Sequence, residues 1–206
     1  NEMVDRDPLA SLPDPAYTCS QASSYDPAAT SPDAPNWFAN NDRSFFIRSE
    51  VNDGREEWVM MNAKGPGAIV RWWVTAPAYV GTVRIYLDGS DTPVIARKVD
   101  ELVGGEALVG APISEETARG RNIYLPIPYA KSCKVTFDRP NFQKSHDNKD
   151  LLYYQINYRT YAEGTAVEAF TMEQFEAAKP LIAKVQKELA EPDFAADKAS
   201  AKEKSG

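Results

Sequence analysis

The chain has 206 residues, a net charge of -7 and a hydrophobic content of 43%. This length suits one ordinary domain with added elements, and the composition excludes wholesale disorder. An acidic chain without a basic run argues against nucleic-acid binding through phosphates, and no apolar run approaches the ~20 residues that span a bilayer.

Histidine and cysteine are too few for most chemistry that depends on them. His146 is the only histidine, which excludes three-histidine zinc sites. It lies in a highly charged stretch that is typical of a solvated loop. Cys19 and Cys133 lie far apart in sequence, in a proline-rich segment and in an apolar alternation respectively, and we predict that they do not form a disulfide. The chain begins with Asn1, which is consistent with a removed leader and a secreted or periplasmic protein.

The first 42 residues predict an irregular arm, because prolines recur throughout and forbid long helices. Those prolines are Pro8, Pro13, Pro15, Pro27, Pro32 and Pro35. An ordered loop of this length is uncommon unless it has a function.

Residues 43–165 predict an antiparallel β-sandwich or jelly roll, because short alternating segments are separated by frequent turns. No helix long enough to connect parallel strands is evident. The predicted strands are Phe45–Val51, Glu57–Asn62, Ala68–Thr75, the alternation Val83 to Leu87, its partner Pro93–Val99, the alternations Ile123 to Ile127 and Cys133 to Phe137, and Leu152 to Tyr158. Trp72 and Trp73 must point to opposite sides of their strand, so one is expected in the core and the other facing a pocket or a partner.

Residues 166–206 predict an amphipathic helix followed by a polar tail. Phe175, Ala178, Ile182, Val185 and Leu189 recur at helical spacing. Thr171 and Gln174 match a capping box. Pro180 predicts either a kink or two short helices.

Carboxylates are the remaining candidates for catalysis, since glycoside hydrolysis needs two of them. Those in the first third are Asp26, Asp42, Glu50, Glu56 and Glu57. The competing interpretation is that they cap turns or solvate strand edges. Among them, Asp26 follows Ser23, Ser24 and Tyr25, a grouping suited to bonding sugar hydroxyls. The aromatic residues Tyr25, Trp37, Trp58, Trp72 and Trp73 are candidates for stacking on sugar rings, although core packing is the commoner role of such side chains.

Several segments, in order, resemble glycoside hydrolase family 172 from about Leu9 to Pro192. They are Ser23–Asp26, Asn40–Asp42, Gly65–Trp72, Ile85–Gly89, Tyr124–Lys131 and Tyr153–Arg159. The resemblance implies the first of two jelly rolls in an exported bacterial enzyme, assembled as homotrimers, that acts on α-D-fructofuranosides or D-arabinofuranosides. It implies paired carboxylates, retention of anomeric configuration and no organic cofactor. We expect no cofactor and no metal site.

The resemblance also implies which residues shape the sugar pocket: Ser24, Tyr25, Asp26, Asn40, Asp42, Arg71 and Trp72. It places the catalytic glutamates in the second jelly roll, so we assign no catalytic residue here. The expected partner is a furanoside-containing oligosaccharide or polysaccharide. The alternative hypothesis is a non-catalytic β-sandwich that binds carbohydrate or serves in assembly.

Two further expectations can be compared with the structure. Removing the carboxylate of Asp26 or Asp42 is expected to impair function more than folding, since both precede the sheet in a loop-rich segment. The apolar stripe of the helix is expected to lack part of its cover, so residues 170–190 are expected to mediate self-association or binding to another polypeptide.

Overall fold

The protein is an antiparallel β-sandwich of the jelly-roll type with a C-terminal helix. The computed structural model describes residues 3–5, 11–42, 44–76, 79–139 and 151–192. Sheet A contains β1 (Tyr17–Ser23), β4 (Gly67–Thr75), β7 (Ser114–Thr117), β8 (Gly120–Ile123), β9 (Ile127–Tyr129) and β11 (Tyr153–Tyr161). Sheet B contains β2 (Arg48–Asn52), β3 (Arg55–Lys64), β5 (Thr82–Leu87), β6 (Ile95–Lys98) and β10 (Ser132–Asp138). The helices are α1 (Val99–Leu102) and α2 (Met172–Ala190).

The chain crosses repeatedly between the two sheets. Sheet A has the order β1-β11-β4-β8-β7 with β9 also pairing β4, and sheet B has the order β2-β3-β10-β5-β6. Every pairing is antiparallel. The predicted turn Asn52-Asp53-Gly54 joins β2 to β3, with φ of 49° at Asp53 and 74° at Gly54. Two consecutive positive φ values match the twist of a two-residue hairpin.

The core lies between the sheets, where the predicted alternations meet. Trp72 and Ile156 from sheet A and Ile85, Cys133 and Val135 from sheet B are at most 1% exposed. Because successive strand residues face opposite sides, their neighbours along each strand form the two outer faces. The alternation in the sequence therefore predicted the inner faces correctly.

The structure differs from the sequence prediction in sheet A, which also contains the unpredicted strand β7. The segment expected to be an irregular arm contains β1, which pairs along its whole length with β11. Cys19, Ser20 and Gln21 of β1 are exposed, so this edge strand lacks the apolar alternation that would have revealed it. The alternation Ile123 to Ile127 forms two strands, β8 and β9, because Pro126 lies between them and has no N–H to donate to a ladder.

Helix α2 packs its apolar stripe against the sandwich. The capping box is confirmed, since Gln174 N donates to Thr171 Oγ1 and Thr171 N donates to Gln174 Oε1, both at 3.1 Å. The alternative of two short helices is wrong, because α2 is one helix with Pro180 inside it. Proline cannot donate a backbone hydrogen bond, and the burial of helix residues before and after Pro180 compensates for this loss.

The apolar stripe of α2 has its cover within this chain. Phe175 and Val185 are 5% and 7% exposed, and Ile182 and Leu189 pack half-buried against the same core. The physical reason offered for self-association through residues 170–190 therefore fails, although association itself stays a prediction. Removing the segment would instead uncover part of the core.

Candidate functional site

A loop of residues 25–42, here called the aromatic loop, leaves the end of β1 and returns to sheet B. Just before it, Ser24 continues the pairing with β11: Ser24 N donates to Tyr154 O at 3.1 Å, and Tyr154 N donates to Ser24 Oγ at 3.0 Å. Ser24 is 4% exposed. It therefore anchors the loop to sheet A and is not itself available to a ligand in this conformation.

Asp26 and Asp42 close the aromatic loop at its base. Asp26 N donates to Asp42 Oδ1 at 2.7 Å. The two carboxylate oxygens of Asp26 accept from Ala28 N at 2.9 Å and Asn41 N at 3.0 Å. The Asp26 carboxylate therefore joins two parts of the loop, since its bond to Asn41 N spans 15 residues of chain. A side chain bonded to the backbone in this way stabilises the loop conformation. The geometry thus favours a structural role for Asp26 over the predicted direct contact with a sugar.

A second group of hydrogen bonds fixes the segment that follows the loop. Leu152 N donates to Ser44 Oγ at 2.8 Å, and Tyr154 OH donates to Phe45 O at 2.7 Å. The rings of Phe46 and Tyr154 stack with centroids 5.9 Å apart. Sequence reasoning missed Ser44 and Tyr154 because their partners are more than 100 residues away, at separations of 108 and 109.

The closed loop carries exposed aromatic and polar side chains. Tyr25 is 57% exposed, Trp37 41% and Phe38 89%. Asn40 and Asp42 are also exposed, and the bond from Asp26 engages only the Oδ1 atom of Asp42. Large apolar side chains exposed on one loop are candidates for contact with a ligand or a partner. Phe38 was not predicted, although its position beside Trp37 in a proline-rich polar segment was an available signal.

Arg71 and Trp72 occupy opposite sides of sheet A. Arg71 lies on the outer face, where its guanidinium donates to the amide oxygens of Asn122, Gln155 and Asn157 at 3.1 to 3.3 Å. Trp72 is 1% exposed inside the sandwich. The prediction that the two neighbouring tryptophans face opposite ways is correct, but Trp72 belongs to the core and not to the surface that carries the aromatic loop.

Glu57 is the most buried of the candidate carboxylates and lies on the outer face of sheet B. It is fully buried and accepts from Thr136 Oγ1 at 2.7 Å, Tyr86 OH at 2.8 Å and Asn52 Nδ2 at 3.1 Å. Burial by itself raises the pKa of Glu57, but these hydrogen bonds and the nearby charge of Arg84 outweigh it, so the net pKa is lowered. Burial and then the bond to Glu57 raise the pKa of Tyr86 to about 12.

The Glu57 network is a structural ion cluster. Glu50 also has a lowered pKa, chiefly because of its hydrogen bond from Lys134, and it bonds Arg48 as well. Both carboxylates are thus held ionised by neighbouring cations and donors. A general acid must instead keep its proton near neutral pH, so neither environment is that of a glycosidase acid.

The thiols and the histidine provide no further catalytic group among the described residues. Cys19 is exposed, Cys133 is buried and both are free, which confirms that they do not pair. Burial raises the pKa of Cys133, as expected for an inert core thiol. His146 lies outside the described residues.

The part of the chain that the structure describes contains neither a membrane-spanning helix nor a metal-binding cluster. None of its helices has the length and apolarity needed to cross a bilayer. It contains no group of three or more His, Cys, Asp and Glu side chains placed to hold a metal ion.

The fold and the loop define a jelly-roll β-sandwich domain that presents a closed aromatic loop at the end of one sheet. Residues 15–178 match the family described as the GH172 first beta-sandwich domain. The chain therefore belongs to glycoside hydrolase family 172, of which this is the first β-sandwich domain.

Other comparisons give only distant similarity. No curated protein matches the chain. Among solved structures, the infectious bursal disease virus Gx strain is 15% identical with a TM-score of 0.32, over 72% of this chain and 33% of that one. The VP2 subviral particle of the same virus is 12% identical with a TM-score of 0.32 over the same shares. This chain thus spans about a third of those viral chains, and the similarity supports no functional argument.

Proposed function

We propose that this domain belongs to a glycoside hydrolase that acts on α-D-fructofuranosides or D-arabinofuranosides. Membership of family 172 supports hydrolase chemistry, and the aromatic loop supports a carbohydrate ligand. The observation that carries the proposal is the exposure of Tyr25, Trp37 and Phe38 on a loop that Asp26 and Asp42 fix in place. A fixed loop holds aromatic rings where they can stack on a sugar without a large cost of ordering.

We propose that the aromatic loop positions the substrate. Exposed rings supply apolar faces for the sugar, and Asn40 and the free Oδ2 of Asp42 supply bonds to its hydroxyls. The retaining mechanism requires a nucleophilic carboxylate and an acid/base carboxylate about 5 Å apart. We propose that both are supplied outside this domain, since Asp26, Glu50 and Glu57 already hold backbone or cationic partners.

The test is binding of furanoside oligosaccharides to the chain, measured by isothermal titration calorimetry. Trp37→Ala and Tyr25→Ala are each expected to weaken binding by roughly 2- to 10-fold, the value of losing one aromatic stacking contact. Leu12→Ala is the matched control, because Leu12 is 93% exposed but precedes β1 and lies outside the aromatic loop. Equal affinity for furanosides and for a pyranose trisaccharide, or equal effects of all three substitutions, would contradict the proposal.

A second candidate is a non-catalytic β-sandwich that binds carbohydrate or serves in assembly. It is favoured by the bonds that both Asp26 carboxylate oxygens accept from backbone N–H groups, which suit loop closure rather than catalysis. Hydrolysis of a furanoside by the full-length protein separates the two candidates, because a non-catalytic protein binds without releasing sugar.

We also propose an exported, trimer-based homo-oligomer, as family membership suggests. Export is tested by detecting the protein in periplasmic or culture fractions of its source. Assembly is tested by light scattering, in which a monomer mass at high protein concentration would contradict it.

A further inference from the structure

The outer face of sheet A carries a cluster of side chains centred on Arg71, here called the Arg71 platform. It consists of Gln21 on β1, Gln155 and Asn157 on β11, Arg71 on β4 and Asn122 on β8. Arg71 Nη1 donates to Gln155 Oε1 at 3.3 Å and to Asn157 Oδ1 at 3.2 Å, and Nη2 donates to Asn122 Oδ1 at 3.1 Å. Asn157 Nδ2 donates to Gln21 Oε1 at 3.0 Å, which turns its oxygen towards Arg71.

The positive charge of Arg71 is held in place but not neutralised. Its three hydrogen-bond partners are neutral amides, and none of the described carboxylates forms an ion pair with it. By contrast, Arg84 pairs with Asp138 at 3.0 Å and Arg121 pairs with Glu116 at 2.8 Å. A guanidinium stays charged at any physiological pH. The platform is thus a fixed cation in a protein whose net charge is -7.

The bonds to the amides leave two of the guanidinium donors without an acceptor among the described residues. A guanidinium has five N–H donors in a planar fork. Nη1 and one hydrogen of Nη2 serve the three amides, so the Nε–H and the second Nη2–H remain. The proposed site uses the Nε–H and the Nη2–H that is parallel to it, the arrangement that receives the two oxygens of a carboxylate.

The groups around Arg71 suit a sugar better than a polypeptide. Tyr124 is 37% exposed with its ring centroid 6.0 Å from Arg71 Cζ, and Trp73 lies half-buried between Asn122 and Gln155. The amide N–H groups of Gln155 and Asn122 are further donors for hydroxyl oxygens. The centre of a protein–protein interface is usually apolar, whereas this face combines amides, one cation and ring edges.

We propose that the Arg71 platform binds the carboxylate of an acidic sugar, a uronic acid residue within a glycan. The carboxylate forms two bonds with these two donors of Arg71, and the amides hold the neighbouring hydroxyls. This site lies on the outer face of sheet A and its binding does not depend on furanoside hydrolysis, so either proposal can fail without the other.

The test compares trigalacturonic acid with its methyl-esterified form, a matched neutral ligand, by isothermal titration calorimetry at neutral pH. The acid is expected to bind at least about tenfold more tightly to the unmodified chain, since a charge-assisted bidentate pair is lost in the ester. Added salt is expected to weaken binding of the acid and to leave the ester unaffected.

Variants test whether Arg71 is responsible for the preference for the acid over the ester. Arg71→Gln is expected to bind the acid and the ester alike, and Arg71→Lys is expected to be intermediate because it keeps the charge and loses the fork. Arg97→Gln is the matched control, since Arg97 is an exposed arginine on sheet B whose guanidinium, among the described residues, bonds the carbonyl of Ala96. It is expected to keep the preference for the acid.

Several results would overturn the proposal. They are equal binding of acid and ester by the unmodified chain, no binding of either, or the same loss in Arg97→Gln as in Arg71→Gln. A chain that assembles in solution and dissociates on Arg71→Gln, without binding the acid, would assign Arg71 to a carboxylate of another polypeptide instead. Because the comparison of the two ligands uses the unmodified chain, misfolding of a variant does not prevent a decision.

Discussion

Replacing Glu57 with glutamine removes a buried charge while keeping nearly the same shape. In the folded protein the Glu57 Oε2 atom accepts from Thr136 at 2.7 Å, Tyr86 at 2.8 Å and Asn52 at 3.1 Å. Its Oε1 atom lies 3.4 Å from Arg55 Nε and 3.6 Å from Arg84 Nη1. In Glu57→Gln one carboxylate oxygen becomes an NH2 group, which faces cations or donors on whichever side it is placed.

The expected loss is about 2–4 kcal/mol of unfolding free energy. Hydrogen bonds to a charged group contribute about 1.5–3 kcal/mol each, and breaking a buried ion pair by removing one partner costs about 3–5 kcal/mol. The estimate lies towards the lower end because Arg84 keeps Asp138 and the amide oxygen keeps part of the network. For a chain of this size the melting temperature should fall by roughly 4–16 °C.

The pH dependence gives a second, independent readout. The folded-state pKa of Glu57 is lowered from its ordinary value of 4.5, so the ionised carboxylate stabilises the fold above that pH. This stabilisation is lost as the pH falls through the folded-state pKa. The difference in stability between the unmodified chain and Glu57→Gln is therefore expected to shrink below pH 4.5.

The assay is thermal and urea denaturation followed by circular dichroism, at neutral pH and at acidic pH. Glu56→Gln is the matched control, because Glu56 is the adjacent residue of β3 and is exposed. It should change stability by less than about 0.5 kcal/mol. Equal effects of the two substitutions at neutral pH, or a difference that does not change with pH, would refute the reasoning.

Three further predictions concern the loop, a hairpin and the thiols. Asp26→Ala should destabilise the fold by about 1–3 kcal/mol in urea denaturation, since two backbone N–H groups lose their acceptor, whereas Asp33→Ala in the same loop should not. Equal urea midpoints of the two variants would instead support the sequence prediction that Asp26 serves function more than folding. Ala118→Asn should stabilise the turn between β7 and β8 by roughly 0.5–1 kcal/mol, because φ at this position is 52° and asparagine tolerates positive φ better than alanine. An unchanged midpoint of thermal unfolding would contradict this prediction. Iodoacetamide should label exposed Cys19 in the native protein and buried Cys133 only after denaturation, as mass spectrometry of peptides would show.

Much of the sandwich was predictable because its inner faces are periodic. Val83, Ile85 and Leu87 alternate with polar residues, and all three are buried. Burying one face of a strand requires this pattern, so the local sequence carries the information. The helix was predictable for the same reason, with Thr171 and Gln174 marking its start through contacts only three residues apart.

The candidate site was only partly predictable, since its parts depend on distant neighbours. The sequence placed Tyr25, Asp26 and Asp42 in one segment, but not the exposure of the ring or the engagement of the carboxylates. An acidic side chain that binds a ligand and one that closes a loop can have the same local sequence. Only the position of Asn41 N, brought within 3.0 Å of Asp26 by the closed loop, distinguishes them.

The sequence by itself determined the fold class, the inner faces, the helix with its cap and the family resemblance. The tertiary structure alone decided that β1 is an edge strand, because its backbone bonds are made with β11, over 130 residues away at Gln21 and Asn157. It alone decided that α2 is covered, because Phe175 and Val185 meet a core built from many strands. It alone placed four amides around Arg71, because sheet order brings strands together that are distant in sequence. Local periodicity specifies which face is buried, whereas pairing between distant strands specifies which side chains meet.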